Sequence, residues 1–175
     1  FIHLVTKHLN STPKAAAIVT LLTILVAFFN WGLGLIFGAV LARKVGEEAL
    51  KQNWKINYPL IGAAGYSGLM VWHGGFSGSS LSKVAEPGHL TSLADSSLEL
   101  TNLPNSIDFS QTVFSTMNIT ISMALLTIVP LAMYWMGKRV KPTGYVLESK
   151  FISSNTELVT GAERLDHSRI LGFFV

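Results

Sequence analysis

A chain of 175 residues with 49% hydrophobic and 13% charged residues falls well short of the roughly 25% charge of soluble domains, so lipid is the expected main solvent. Its net charge of +3 comes from Lys and Arg grouped at the ends of apolar runs. That grouping reads as topogenic charge and argues against a nucleic-acid partner, which would want a basic face interleaved with aromatics. There is no cysteine, which rules out a disulfide scaffold and thiolate metal sites or nucleophiles within this sequence.

Lys7 and Lys14, in a lead-in over 1–14, precede the longest uncharged run, Ala15 to Ala42. As one straight helix it would measure about 42 Å, long for one crossing of a core about 30 Å thick and short for two. In its middle sits Phe29-Asn30-Trp31-Gly32-Leu33-Gly34, an amide and two glycines where a spanning helix is most apolar. Two half-helices, about 15–29 and 33–42, meeting at an Asn-Trp-Gly tip would make a re-entrant hairpin. The alternative is one tilted span whose Gly34 and Gly38 pack on a neighbour. Arg43, Lys44, Lys51 and Lys55 follow in a polar linker, 43–57. Basic residues near membrane ends mark the cytoplasmic side, and the hairpin puts these and Lys7 and Lys14 on that same side.

Tyr58-Pro59 opens the next apolar segment, 58–86, with proline in a favoured first-turn position. Gly62, Gly65 and Gly68 suggest a flat strip for close helix approach. The segment is then interrupted by His73-Gly74-Gly75-Phe76-Ser77-Gly78-Ser79. Each glycine costs roughly 1 kcal/mol against alanine in a helix, and non-helical backbone at membrane depth persists only where protein or a wet cavity satisfies it. A discontinuous transmembrane helix is the reading, with an ordinary turn outside the bilayer as the bland alternative. The loop 87–110 carries Asp95, Glu99 and Asp108 but neither Lys nor Arg after Pro87, and is expected outside. A further span, 111–137, returns to Lys138, Arg139 and Lys141; in it Ser115, Asn118 and Ser122 share one helix face. Residues 138–169 read as a cytoplasmic linker and 170–175 as the start of a truncated next span.

Enzyme chemistry finds little support. His73-Gly74-Gly75 resembles a lipase oxyanion motif, but Gly65-Tyr66-Ser67-Gly68-Leu69 misses the nucleophile elbow by one position. No Asp or Glu lies in the apolar runs to orient a catalytic histidine, and the scattered histidines make no metal site. A carboxylate, in contrast, can be held at membrane depth by half-helix N-termini, hydroxyls and amides. Asn30 at the tip and the Trp72–Ser80 break offer that set. His73 is the one histidine in these runs, and histidine is the side-chain type suited to carry a proton under physiological conditions.

Asn30-Trp31-Gly32-Leu33-Gly34 through Arg43, followed by Tyr58-Pro59 through Trp72-His73-Gly74-Gly75 and Ser77-Gly78-Ser79, strongly resembles the bacterial short-chain fatty acid transporter family. The resemblance covers about Lys7 to Lys141 and departs at Ser80, where the family carries proline. It implies an all-α, multi-pass protein of the bacterial inner membrane, and, by relation to carboxylate carriers with inverted repeats, one half of such a repeat. Family members are more than twice this length, which implies a piece of a longer chain. The implied function is secondary transport of acetoacetate- or butyrate-type monocarboxylates, not catalysis. The implied substrate contacts are Asn30, Trp31 and Gly32 at the tip and His73, Gly74, Gly75, Ser77, Gly78 and Ser79 in the break, with Ser115 and Asn118 contributing from a helix face. No cofactor is implied; the coupling ion is H+ or Na+, sodium having the Gly-rich loop as a candidate place. Expected partners are the carboxylate, membrane lipid, the rest of the polypeptide and a homo-oligomeric copy.

Overall fold

The computed structural model describes residues 9–93, 103–145 and 147, and the helices all belong to the compact unit that ends at Tyr145. The first eight residues of the lead-in, residues 94–102 of the loop, most of the linker after 145 and the 170–175 span lie outside the described residues. Those described form six α-helices and one 3-10 segment, with no strand. In chain order they are α1 (Thr12–Phe29), α2 (Trp31–Lys51), α3 (Tyr58–Tyr66), the 3-10 segment (Ser67–Gly74), α4 (Ser79–Val84), α5 (His89–Leu93) and α6 (Thr116–Arg139). Two of them, α1 and α6, are long and apolar enough to cross a membrane.

The central element is α1. Proline in its first turn gives up an amide that no helix would use, and Thr12, Ala15, Ala16, Val19, Thr20, Thr23, Ile24 and Ala27 are all buried. These recur at three- and four-residue spacing, a stripe that neighbours can cover. The small side chains let three neighbours come close. A side chain added at Gly34 would meet Ala27, and one at Gly38 would meet the Thr23 methyl, so α2 runs back antiparallel along α1. Gly68 packs on Ala27 and Thr23, while the Asn57 amide donates to Thr12 Oγ1 at 2.9 Å. Those pairings make α3 and the 3-10 segment parallel to α1. Finally, Gly137 lies against Pro13 and Leu125, Leu126 and Val129 pack on Ile24 and Ala27, so α6 is antiparallel to it.

The charged start of α1 and charged ends of α2 and α6 therefore gather at one end of the bundle, while the Lys83–Glu86 pair after the second break lies at the other. The α2 helix does not stop at Ala42 but continues through the expected polar linker to Lys51. Its last turns are held by Arg43 Nε to Glu47 at 3.0 Å and Lys44 Nζ to Glu47 at 2.7 Å, spacings at which helix side chains meet. The hydrogen bond from Lys44, helped by Arg43, holds the Glu47 carboxyl below its usual range against an opposing burial effect. Val45, Gly46 and Ala49 on the other face are buried. Charge on one face and small apolar residues on the other extended the helix past the apolar run. At the same end Asn57 Nδ2 donates to Lys141 O at 2.8 Å and Thr143 Oγ1 at 3.0 Å, and Tyr145 stacks on Tyr58 with 4.6 Å between centroids.

The glycine strip of α3 is narrower than its spacing suggested. A period of three drifts about 60° per step against the 3.6 of a helix. Gly62 accordingly faces open space, while Gly65 meets Gly38 backbone to backbone and Gly68 meets α1. The expected 58–86 segment is α-helical only to Tyr66 and then tightens to 3-10 as far as Gly74. The α6 helix starts at Thr116 rather than 111, and Pro130 lies within it.

The Gly38–Gly65 contact sets a testable contrast. Gly38→Ala drives a methyl into the Gly65 carbonyl and lowers the thermal midpoint of the full-length protein in detergent by the equivalent of about 1–3 kcal/mol. Gly62→Ala leaves the midpoint unchanged or raises it, since alanine favours helix and nothing opposes it. Equal midpoints for the two variants would refute this packing.

Candidate functional site

The chain breaks at Asn30 and at Gly74–Gly78 lie at the end of the bundle away from the charges, against each other. Asn30 is extended, with φ −147 and ψ 117, between α1 and α2. Its short side chain reaches forward, and Oδ1 accepts from the Leu33 amide at 2.9 Å, the usual service of an N-cap. The chain turns here because that amide offers the backbone an alternative to helix.

Two hydrogen bonds join this turn to the second break. The Phe76 amide donates to the Phe28 carbonyl at 2.9 Å, and the Trp31 amide donates to Ser77 Oγ at 2.9 Å. Gly75 is buried against the Phe28 carbonyl, in a place where any Cβ would collide. The rings follow the backbone. Trp31 stacks on Trp72 with 4.6 Å between centroids, and Trp72 on His73 with 4.9 Å and 11° between planes. Phe76 lies 5.4 Å from Phe28, 5.7 Å from Phe29 and 5.5 Å from Phe114.

Several polar groups remain unused at this junction. Ser77 accepts from Trp31 through its oxygen, which leaves its hydroxyl hydrogen without an acceptor among the described residues. Asn30 Nδ2 is likewise without a partner among them. Gly32, in the first turn of α2, carries one of the amides that a helix start leaves unpaired. The indole nitrogen of Trp72 is buried with no partner among the described residues. Ser79 opens α4, and its side chain lies outside what the structure describes. Gly78 packs beneath the His73 carbonyl.

The expected face of Ser115, Asn118 and Ser122 divides into three roles. Ser115 is not on the helix; it is the N-cap of α6, accepting from the Asn118 amide at 3.2 Å and donating to the Thr112 carbonyl at 2.8 Å. Asn118 gives both amide hydrogens to backbone, to Gly74 O and Val113 O, each at 2.8 Å. It fastens α6 to the break, and its NH2 has nothing left to offer a ligand. Ser122 faces an apolar recess. A second recess, of about 360 Å³, lies beside His73, Gly74, Ser115 and Asn118 and is also lined by Gln111 and Thr112. These last two carry no signal in an apolar-run reading, which counts 111–115 as part of the span. The Ser-x-x-Asn capping pattern at 115 is the local sign that the helix begins later.

The sequence model of the short chain fatty acid transporter family matches residues 2–175. The chain belongs to that family. It is 30% identical over 171 residues to a protein of Escherichia coli (strain K12) named "Putative short-chain fatty acid transporter". A protein of the same name from Haemophilus influenzae is 27% identical over 181 aligned positions. These matches take in 94% and 100% of this chain but 36% and 39% of the relatives, so the chain spans little more than a third of their length. No solved structure matches it. Family membership and two helices fit to cross a membrane make this a membrane protein of a transporter family.

The pair of hydrogen bonds from Asn118 is testable apart from transport. Asn118→Asp removes both donors and sets carboxylate oxygens against the Gly74 and Val113 carbonyls. Each stranded acceptor costs about 1–3 kcal/mol, so the thermal midpoint of the full-length protein falls well below that of Ser122→Ala. A midpoint for Asn118→Asp equal to wild type would show that Asn118 acts through its oxygen instead.

Proposed function

We propose that this chain forms part of a secondary carrier for short-chain monocarboxylates of the butyrate and acetoacetate type in the bacterial inner membrane. The observation that carries the reading is the Trp31 amide bond to Ser77 Oγ. It brings the two breaks together and leaves a hydroxyl hydrogen to offer at the junction, next to the Asn30 amide. A carboxylate here would accept from Ser77 Oγ, Asn30 Nδ2 and the Gly32 amide at the positive end of α2. Trp31, His73, Gly74, Gly75 and Gly78 shape the place, and neither Lys nor Arg is needed. No catalytic role is assigned.

In the proposed topology α1 and α2 enter and leave on the cytoplasmic face, with the Asn30 tip about 27 Å from the start of α1. Support comes from Lys14, Lys51, Lys55, Lys138, Arg139 and Lys141 at or beside element ends on one side of the bundle, with Arg43 and Lys44 in the later turns of α2 leading there; Lys83, paired with Glu86, lies at the other end. The remainder of the longer polypeptide would supply the inverted counterpart. Cysteines placed at Lys14 and Lys44 of the full-length protein should both be shielded from an impermeant thiol reagent in intact cells. Labelling of position 14 alone would refute this topology.

Transport itself is read from labelled butyrate uptake into proteoliposomes, with protein-free vesicles subtracted. Asn30→Ala and Ser77→Ala each lower uptake by roughly tenfold or more, since a hydrogen bond to a charged group contributes about 1.5–3 kcal/mol. Ser122→Ala has a smaller effect. His73→Gln separates the coupling ions: loss of accumulation driven by a pH gradient, with exchange intact, assigns the proton to His73. Retention of that accumulation shifts the coupling to sodium or to another part of the polypeptide. Equal loss at Asn30, Ser77 and Ser122 would indicate packing roles and refute the site.

A further inference from the structure

We infer that the apolar recess between α1, the 3-10 segment and α6 receives the hydrocarbon tail of the transported acid and sets its chain length. The inference rests on the carrier reading and concerns the other end of the same ligand. The recess has a volume of about 260 Å³ and is walled by Phe28, Phe29, Val71, Ile119, Met123 and Leu126. Its floor belongs to the packed core, with Ile24 1% and Val71 3% exposed. Ser122 is the one hydroxyl residue in the lining.

The recess and the proposed carboxylate site meet at Phe28 and Phe29, which line the one and contact Phe76 beside the other. Phe29 precedes Asn30, and Phe76 precedes Ser77, so the residues bearing the two free donors each follow a ring of one cluster. Phe29 and Phe76 are stacked at 5.7 Å, and Phe28 meets Phe76 edge-on at 5.4 Å. Of the rings that flank the donors, Phe29 also lines the recess, and Phe76 lies against both Phe28 and Phe29. An amphipathic anion whose head lies at Asn30 and Ser77 has its tail at Phe28 and Phe29.

Size selects the occupant. A dry cavity of about 150 Å³ holds benzene, a six-carbon solute. On that scale this recess holds on the order of ten carbons, enough for a short acid and too little for a membrane lipid's acyl chain. Ile24 and Val71 are buried at its floor, while Leu25, Phe29, Ile119 and Met123 are exposed at its rim, so the recess opens on the outer face of the bundle. Each methylene buried contributes about 0.8 kcal/mol, or roughly fourfold in affinity.

The test uses full-length protein in proteoliposomes and measures how unlabelled acetate, butyrate, hexanoate and octanoate inhibit initial uptake of labelled butyrate. Wild type shows inhibition constants that fall about fourfold per methylene through octanoate. Leu126→Trp fills the recess and lowers the hexanoate preference over acetate at least tenfold. Met123→Ala enlarges it and extends the fall to dodecanoate, added to the series for wild type and variant alike. A change that is the same at every chain length, or no change in either variant, overturns the recess as the tail site and assigns it to lipid or to another part of the polypeptide. Absence of butyrate uptake by wild type would instead overturn the carrier reading, and the recess with it.

Discussion

Breaking two helices frees backbone amides and carbonyls that an apolar surrounding cannot satisfy. In this chain the two breaks satisfy one another. Phe28 ends α1 with a carbonyl free to accept from Phe76, and Trp31 begins α2 with an amide free to donate to Ser77. Asn118 takes the carbonyls of Gly74 and Val113. Once these are paired, the remaining polar groups of the junction are few and local: the Ser77 hydroxyl hydrogen, the Asn30 NH2, the Gly32 amide and the buried Trp72 indole N–H. The junction owes its polar character to the groups that this mutual repair leaves over.

That repair demands a level fit along the bundle, and the glycine contacts provide it. Gly34 on Ala27, Gly38 on Gly65 and Gly68 on Thr23 fix how far α2 and the 3-10 segment slide along α1. A shift by one residue would move each glycine off its partner and bring a side chain into backbone. Backbone-to-backbone approach also strengthens packing where apolar surroundings offer little hydrophobic drive between helices. The register of the bundle and the register of the two breaks are thus one constraint. The change to 3-10 winding after Tyr66 belongs to it as well, because the tighter coil rises about 2 Å per residue and reaches the Asn30 level in fewer residues.

Much of this was legible in the sequence. Asn30-Trp31-Gly32 and the Gly/Ser run marked both breaks because those residues favour turns and caps over helix, and Asn57 with Pro59 marked the start of α3. Charge clustering pointed to a common end for Lys14, Lys51, Lys55 and Lys138, but the Lys83–Glu86 pair lies at the other end. Helix lengths were less legible. The Glu47 pairings and the buried Ala49 face carried α2 through residues that composition assigned to a linker. The helical face predicted for Ser115, Asn118 and Ser122 assumed a helix from 111, whereas Ser115 stops the preceding turn by capping α6. Gly62 was counted with Gly65 because a three-residue spacing looks regular in sequence but drifts around a helix. The stacking of Trp31 on Trp72 joins residues about 41 apart in the chain, and nothing local announces it.

The absence of Lys and Arg from the residues lining the proposed site has a kinetic meaning. A buried ammonium or guanidinium would have to be desolvated to sit there, and it would hold a carboxylate through a strong ion pair. Uncharged donors and a helix terminus avoid that desolvation and bind an anion less tightly. A carrier must release what it binds on each cycle, so favourable entry has to be balanced against easy exit. Affinity that comes from a few neutral hydrogen bonds and a methylene-by-methylene tail contact stays within that balance. On the proposed reading it also separates two tasks: the donors at Asn30 and Ser77 would recognise any carboxylate, and the recess beside Phe28 and Phe29 would discriminate among them by length.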